Sequence, residues 1–159
     1  IFYAQRPSGR PAKGGERLSS TYLDIPSTPQ FPFGHGLSYG AYTLHDLRCT
    51  PVSVKAGEDF AVSVSVRNES GIAGEVILFL FVHDVVASIA RPVLELKGVR
   101  RVALGPGERG TLTWRLPVGV LSFLDVDLNP VLEPGRFEIH VGQSADPGGF
   151  LSCSIEVLP

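Results

Sequence analysis

The 159-residue sequence contains no methionine, one tryptophan and two cysteines, and its apolar runs are short. The missing methionine implies that residue 1 is an internal point of a longer gene product, and no charged-then-apolar leader marks a signal peptide. Cys49 and Cys153 lie far apart and form no C-x-x-C pair, so zinc-site spacing is absent. The longest apolar run, Val76 to Val82, stops at seven residues. A membrane-spanning helix needs roughly 20. Charge of one sign is lacking too: 14 basic and 16 acidic residues are interspersed to a net charge of −2. That leaves no basic stripe for nucleic acid and no polyacidic tail. Neither nucleic acid nor a membrane is expected as a partner, and the compartment stays open between periplasmic or secreted and cytoplasmic.

What the sequence has in quantity is turn chemistry. Eighteen glycines and thirteen prolines punctuate Val-rich alternating segments, the composition of an all-β protein. Phe60, Val62, Val64 and Val66 alternate with Ala61, Ser63, Ser65 and Arg67, a period of two that predicts a half-buried strand. "NESG" (Asn68 to Gly71) then turns the chain. "EVILFLFV" (Glu75 to Val82) is apolar on both parities, as in a central strand covered on both sides.

"RPVLELKGVRRVAL" (Arg91 to Leu104) reads as a bend and then a strand, because Pro92 cannot donate to a ladder and Gly98 interrupts the alternation. Leu112, Trp114 and Leu116 share one face of the next strand, with Trp114 predicted in the core. Phe137, Ile139 and Val141 point inward while Glu138 and His140 point out. A last strand turns Leu151, Cys153, Ile155 and Val157 inward. With Leu44 to Cys49 as an opening strand, about seven short strands result, at the turn spacing of a β-sandwich. No internal repeat and no helical periodicity is present.

Residues 1–30 differ. "IFYAQ" suits the stub of one strand, whereas "RPSGRPAKGGERLSS" has no apolar period and reads as a surface loop. A segment that owns no core must lean on the sandwich or on another domain. Another domain is the expectation here.

Candidate chemistry is sparse. In "FPFGHGLSYG" (Phe31 to Gly40), His35 sits between Gly34 and Gly36. Without a Ser, Cys or carboxylate partner in a recognisable arrangement it reads as part of a structural joint, with Pro32 fixing an extended entry and both glycines permitting turns. Phe31, Phe33, Leu37 and Tyr39 would anchor that joint. His45, His83 and His140 stand alone on strands, at no metal-ligand spacing.

"DVDLN" (Asp125 to Asn129) opens like a calcium loop, but Pro130 replaces the required glycine and Arg136 the bidentate glutamate. Asp24, Asp46, Asp84 and Glu95 are read as scattered surface carboxylates rather than a glycosidase pair. Asn68-Glu69-Ser70 is a formal N-glycosylation acceptor, meaningful only in a eukaryotic secretory setting. Cys49 and Cys153 fall on inward positions of the first and last strands, compatible with a disulfide or with two buried thiols. No exposed aromatic ladder of the kind that binds sugar rings is evident.

Several ordered motifs carry a resemblance. "STYLDIPSTPQFPFGHGLSYGAY" (Ser20 to Tyr42) resembles the junction of glycoside hydrolase family 3 enzymes, S-R-Y-L-D, P-x-x-P and Y/F-P-F-G-x-G-L-S-Y-T. "RPVLELKGVRRVALGPGE" resembles the family's R-P-x-x-x-L-K-G-F with its following L-x-P-G-E. "LSFLDVDLNPVLEPGRFEIHVGQSAD" (Leu121 to Asp146) is similar to its L-S-F…V-x-E-P-G-x-F-x-V-x-V-G-x-S-S. "IFYAQRPSGRPA" is similar to the close of the preceding α/β domain. Thr21, Gly40 and Val99 depart from the family's arginine, threonine and aromatic residue.

The resemblance implies a fibronectin type III-like domain at the C-terminus of a β-glucosidase-like hydrolase. Residues 1–39 would be the tail of the α/β domain and a linker, and residues 40–159 the sandwich. The nucleophilic aspartate of such enzymes lies in an N-terminal barrel and the acid/base in the α/β domain. This chain would then supply no catalytic, cofactor-binding or metal-binding residue and be inactive alone. Its partners would be the barrel and α/β domains, with a β-glucoside or related oligosaccharide as substrate of the whole enzyme and a homodimer possible in principle. Carbohydrate-binding or oligomerisation modules, or part of a β-xylosidase of the same family, are the alternatives.

Overall fold

A computed structural model describes residues 2–6 and 28–159. Seven long strands and three two-residue ones follow in order. They are β1 (Tyr42–Thr50), β2 (Ser53–Val54), β3 (Asp59–Asn68), β4 (Gly74–Asp84), β5 (Glu95–Leu104), β6 (Arg109–Pro117), β7 (Phe123–Leu124), β8 (Pro130–Val131), β9 (Gly135–Gly142) and β10 (Leu151–Val157). β1, β3 and β6 form one antiparallel sheet, and β2, β10, β9, β4 and β5 form the other in that order. β7 and β8 make a separate hairpin. The seven long strands are those the alternation predicts.

The core lies between the sheets because each strand turns one parity inward. On β3, Phe60, Val62, Val64 and Val66 are buried, and the register sets Val62 opposite Trp114 and Val64 opposite Leu112 on β6. The other sheet contributes Val76, Leu78, Leu80 and Val82 from β4, Phe137, Ile139 and Val141 from β9, and Ile155 and Val157 from β10. Gly98 breaks the pattern of β5 for two reasons. The β4–β5 register slips beside it, between Leu80 and Phe81, and a Cβ at Gly98 would sit 2.6 Å from Cδ1 of Trp114. The glycine makes room for the indole.

β4 is apolar on both parities because both faces are covered. Its second parity, Phe79 and Phe81, turns to the outside of the five-stranded sheet and joins a smaller cluster with Leu94, Leu96, Ala145 and Phe150. What covers that cluster comes from the N-terminal side.

Candidate functional site

The outer face of the five-stranded sheet carries an aromatic chain that receives the N-terminal segments. Tyr3 packs on Phe33 (ring centroids 5.0 Å apart) and on Phe81 (5.4 Å). Phe33 meets Phe79 edge-on at 5.2 Å, and Phe81 continues to Phe150 at 5.6 Å. Such tilted pairs add to the free energy of area burial. Backbone hydrogen bonds fix both segments: Val93 N donates to the Gln5 carbonyl (2.8 Å), and Ala145 N to the Phe33 carbonyl (2.7 Å).

Residues 2–6 form a turn, with Gln5 N donating to the Phe2 carbonyl, and not the expected strand stub. A single backbone bond to Val93 is too little to build a ladder. The loop sequence from Pro7 and the carboxylate Asp24 lie outside the described residues.

"FPFGHG" turns where His35 N donates to the Pro32 carbonyl at 2.9 Å. Gly34 is demanded twice, by φ +81° and because a Cβ would lie 2.6 Å from the Phe79 ring. Gly36 needs no such freedom: it has open space and no positive φ, contrary to expectation. Nor do all four apolar residues anchor the passage. Phe33 does so, whereas Leu37 and Tyr39 are 98% and 99% exposed and Phe31 lies mostly outside, tilted against the His35 ring at 5.1 Å. The residues after Gly34 present apolar surface outward instead of burying it.

At one end of the sandwich, Arg91 closes the core. Its side chain is 4% exposed, and its Nη1 donates to Asp84 Oδ2 (2.7 Å) and to the Leu121 carbonyl (2.9 Å). Nε and Nη2 both donate to Glu95 Oε1 (3.0 and 2.6 Å), while Lys97 Nζ holds the other Glu95 oxygen at 2.8 Å. The guanidinium also lies over the rings of Phe123 (5.3 Å) and Phe137 (5.9 Å). Asp84 and Glu95 are therefore not scattered surface carboxylates. One buried cation collects them, because an arginine in this apolar setting needs compensating charge and acceptors on all sides. Burial works to raise the Glu95 carboxyl, but Lys97 and Arg91 outweigh it and hold the group below the usual carboxylate range.

The remaining candidates find structural settings. Asn68 is fully buried, and its Nδ2 donates to the carbonyls of Ile72 (2.8 Å), Leu104 (3.1 Å) and Gly105 (3.1 Å). A glycan cannot be accommodated on that nitrogen in the folded chain, which removes the acceptor reading. Asp125 Oδ1 accepts from the backbone N–H groups of Asp127 and Asn129 (2.9 Å each) and so organises the β7–β8 turn itself. Asp46 marks the β1 bulge at φ +55°, and His45 rests on Thr43 Oγ1 at 3.0 Å.

The β4–β9 register sets Phe81 opposite His140 and His83 opposite Glu138, so the two histidines stand diagonally across neighbouring strands. His83 Nδ1 bonds the Val93 carbonyl (2.8 Å), and His140 Nδ1 bonds Ser152 Oγ (2.7 Å) while stacking on Phe150. Burial pushes the His140 imidazole down, with Glu138 opposing and His83 assisting. Among the described residues no group of three or more His, Cys, Asp or Glu is arranged to hold a metal ion. Cys49 and Cys153 are free thiols on β1 and β10, and the hydrogen bond that the Cys49 thiol donates to Cys153, together with burial, pushes the Cys49 thiol up.

The fold defines an all-β sandwich domain whose polar groups support structure. Residues 76–145 match the fibronectin type III-like domain family. Those residues carry a fibronectin type III-like domain, and the chain around them is similar to a part of glycoside hydrolase family 3 β-glucosidases and β-xylosidases.

It is 31% identical to the periplasmic β-glucosidase of Salmonella typhimurium over 89% of this chain and 19% of that protein. It is 35% identical to a β-xylosidase of Formosa agariphila over 99% of this chain and 21% of that one. A crystal structure of the Listeria innocua β-glucosidase in complex with glucose superposes with TM-score 0.90 at 38% identity, covering all of this chain and 22% of that one. The Bifidobacterium adolescentis family 3 β-glucosidase follows at TM-score 0.71 and 26% identity, over 80% of this chain and 19% of that one. The chain thus spans about a fifth of the length of the relatives it matches.

Proposed function

We propose that this chain is the non-catalytic C-terminal part of a β-glucosidase-like hydrolase, and that its work is to hold the other domains in register. In this reading residues 1–39 are the tail of the α/β domain and the linker, residues 40–159 are the sandwich, and no residue of the chain touches substrate. The whole enzyme removes terminal β-D-glucosyl residues through two carboxylates on the missing domains.

The observation that carries the reading is the aromatic joint. Tyr3 and Phe33, 30 residues apart, converge on Phe79 and Phe81 of a sheet whose own core is already complete. Leu37 and Tyr39, fully exposed on this chain, are surfaces for the domains it lacks.

The purified chain should not hydrolyse an aryl β-glucoside, and activity in it would overturn the proposal. In the intact enzyme, His35→Ala should leave activity unchanged while Phe33→Ala lowers the melting temperature. Loss of activity in His35→Ala without loss of stability would make this stretch a reactive site instead of a joint.

A further inference from the structure

The loop between β4 and β5 is unusual for a surface loop. From Val85 to Ala90 it carries no charge, and Val85, Val86 and Ile89 are exposed, Val86 by 79%. Valine and isoleucine at a loop tip gain nothing from water, and a floppy loop would fold them back onto its own core. This loop is prevented from doing so. Arg91 and Asp84 pin its two ends to each other, Val85 N reaches the Arg136 carbonyl at 3.4 Å, and Ser88 N donates to Glu133 Oε2 at 3.0 Å.

The neighbouring β7–β8 turn, held against the loop by Arg91 over Phe123, exposes Val126 by 90% and Leu128 by 74%. Both tips rise from the same buried Arg91 network and present apolar side chains to solvent, as the two parts of an apolar rim.

We infer that this rim is the seat of the preceding α/β domain of the same polypeptide. The inference rests on the proposed function and adds the surface. Two observations select that occupant. The relatives are about five times as long as this chain, so most of their mass lies outside it. The turn at residues 2–6, which the proposed function assigns to the end of the α/β domain, is bonded through Gln5 to Val93, at the foot of the same loop. Val93 lines both the cleft of about 560 Å³ along the loop and the cleft against Phe2 and Tyr3, so the apolar surface runs on from the joint to the rim. The absence of charge from Val85 to Ala90 fits a stationary contact and not electrostatic steering of a passing partner.

Hydrogen exchange tests this directly. In the full-length polypeptide the amides of Val85 to Ala90 should exchange at least about tenfold more slowly than in the 159-residue chain, and equal rates would overturn the inference. Val86→Asp and Val126→Asp, at exposed positions, should leave the melting temperature of the isolated chain unchanged while abolishing that protection in the full-length polypeptide. Protection that survives both substitutions would place the contact elsewhere and overturn the inference. The proposed function fails separately, if the full-length polypeptide hydrolyses neither an aryl β-glucoside nor an aryl β-xyloside.

Discussion

Replacing Arg91 by methionine removes the cation and keeps much of the side-chain volume. The aliphatic stem would still fill space between Phe123 and Phe137, so the loss is electrostatic. Asp84, whose side chain is 3% exposed, would keep one bond, from Val86 N at 3.2 Å, and lose its only ionic partner among the described residues. Glu95 would keep Lys97. The Leu121 carbonyl would lose a donor as well.

Breaking a buried pair from one side costs about 3–5 kcal/mol, which for a domain of this size lowers the melting temperature by roughly 6–20 °C. Removing both charges, as Arg91→Met with Asp84→Leu, should recover most of that loss. Calorimetry at neutral pH measures both variants. A loss under about 1 kcal/mol in the single variant would refute the reasoning, since the network would then behave as a solvated surface pair.

Part of the effect titrates. Glu95 is held below its ordinary pKa in the folded chain, so its contribution is full above about pH 4.3 and is lost as pH falls through the folded value. The gap between wild type and Arg91→Met should therefore narrow below about pH 4.

Other perturbations have equally defined outcomes. Gly34→Ala must adopt φ +81° and push into Phe79, so the chain should lose roughly 1–3 kcal/mol by denaturant titration, and Gly36→Ala almost nothing. Asn68→Ala strips donors from three carbonyls and should cost more than about 1–3 kcal/mol, the price of a single unmet buried group; a smaller loss would mean that water replaces the amide. His140 is held neutral by burial, so its contribution is present above about pH 6.5 and disappears as pH falls through its lowered folded value. Thermal scans between pH 7.5 and 5, on the order of the imidazole range, should show a decline that His140→Gln lacks.

The strands were legible because a sandwich writes its core into a period of two. Phe60 to Val66 and Phe137 to Val141 needed only parity to be placed. Asn68 extends the inward parity of β3 by one step, so its burial was available in the sequence, masked by the pull of the glycosylation pattern. The Arg91 network was not legible: Asp84 and Glu95 stand seven residues before and four after it, where ordinary surface charges also stand. The one hint was a lone arginine ending a run free of charge from Val85 to Ala90. The diagonal placement of His83 and His140 comes from strand register, which local pattern does not encode. In "FPFGHGLSYG" parity could not say that Phe33 packs inward while Leu37 and Tyr39 face out.

The aromatic joint sits on one sheet, and the chain that leaves it enters the other. Phe33 bears on β4 of the five-stranded sheet, and nine residues later Tyr42 opens β1 of the three-stranded one. A pull or twist arriving through residues 28–41 is therefore shared between two sheets that touch chiefly through their core. The sandwich resists it as a clamp with two jaws, and loosening either jaw would let the segment swing without unfolding the other.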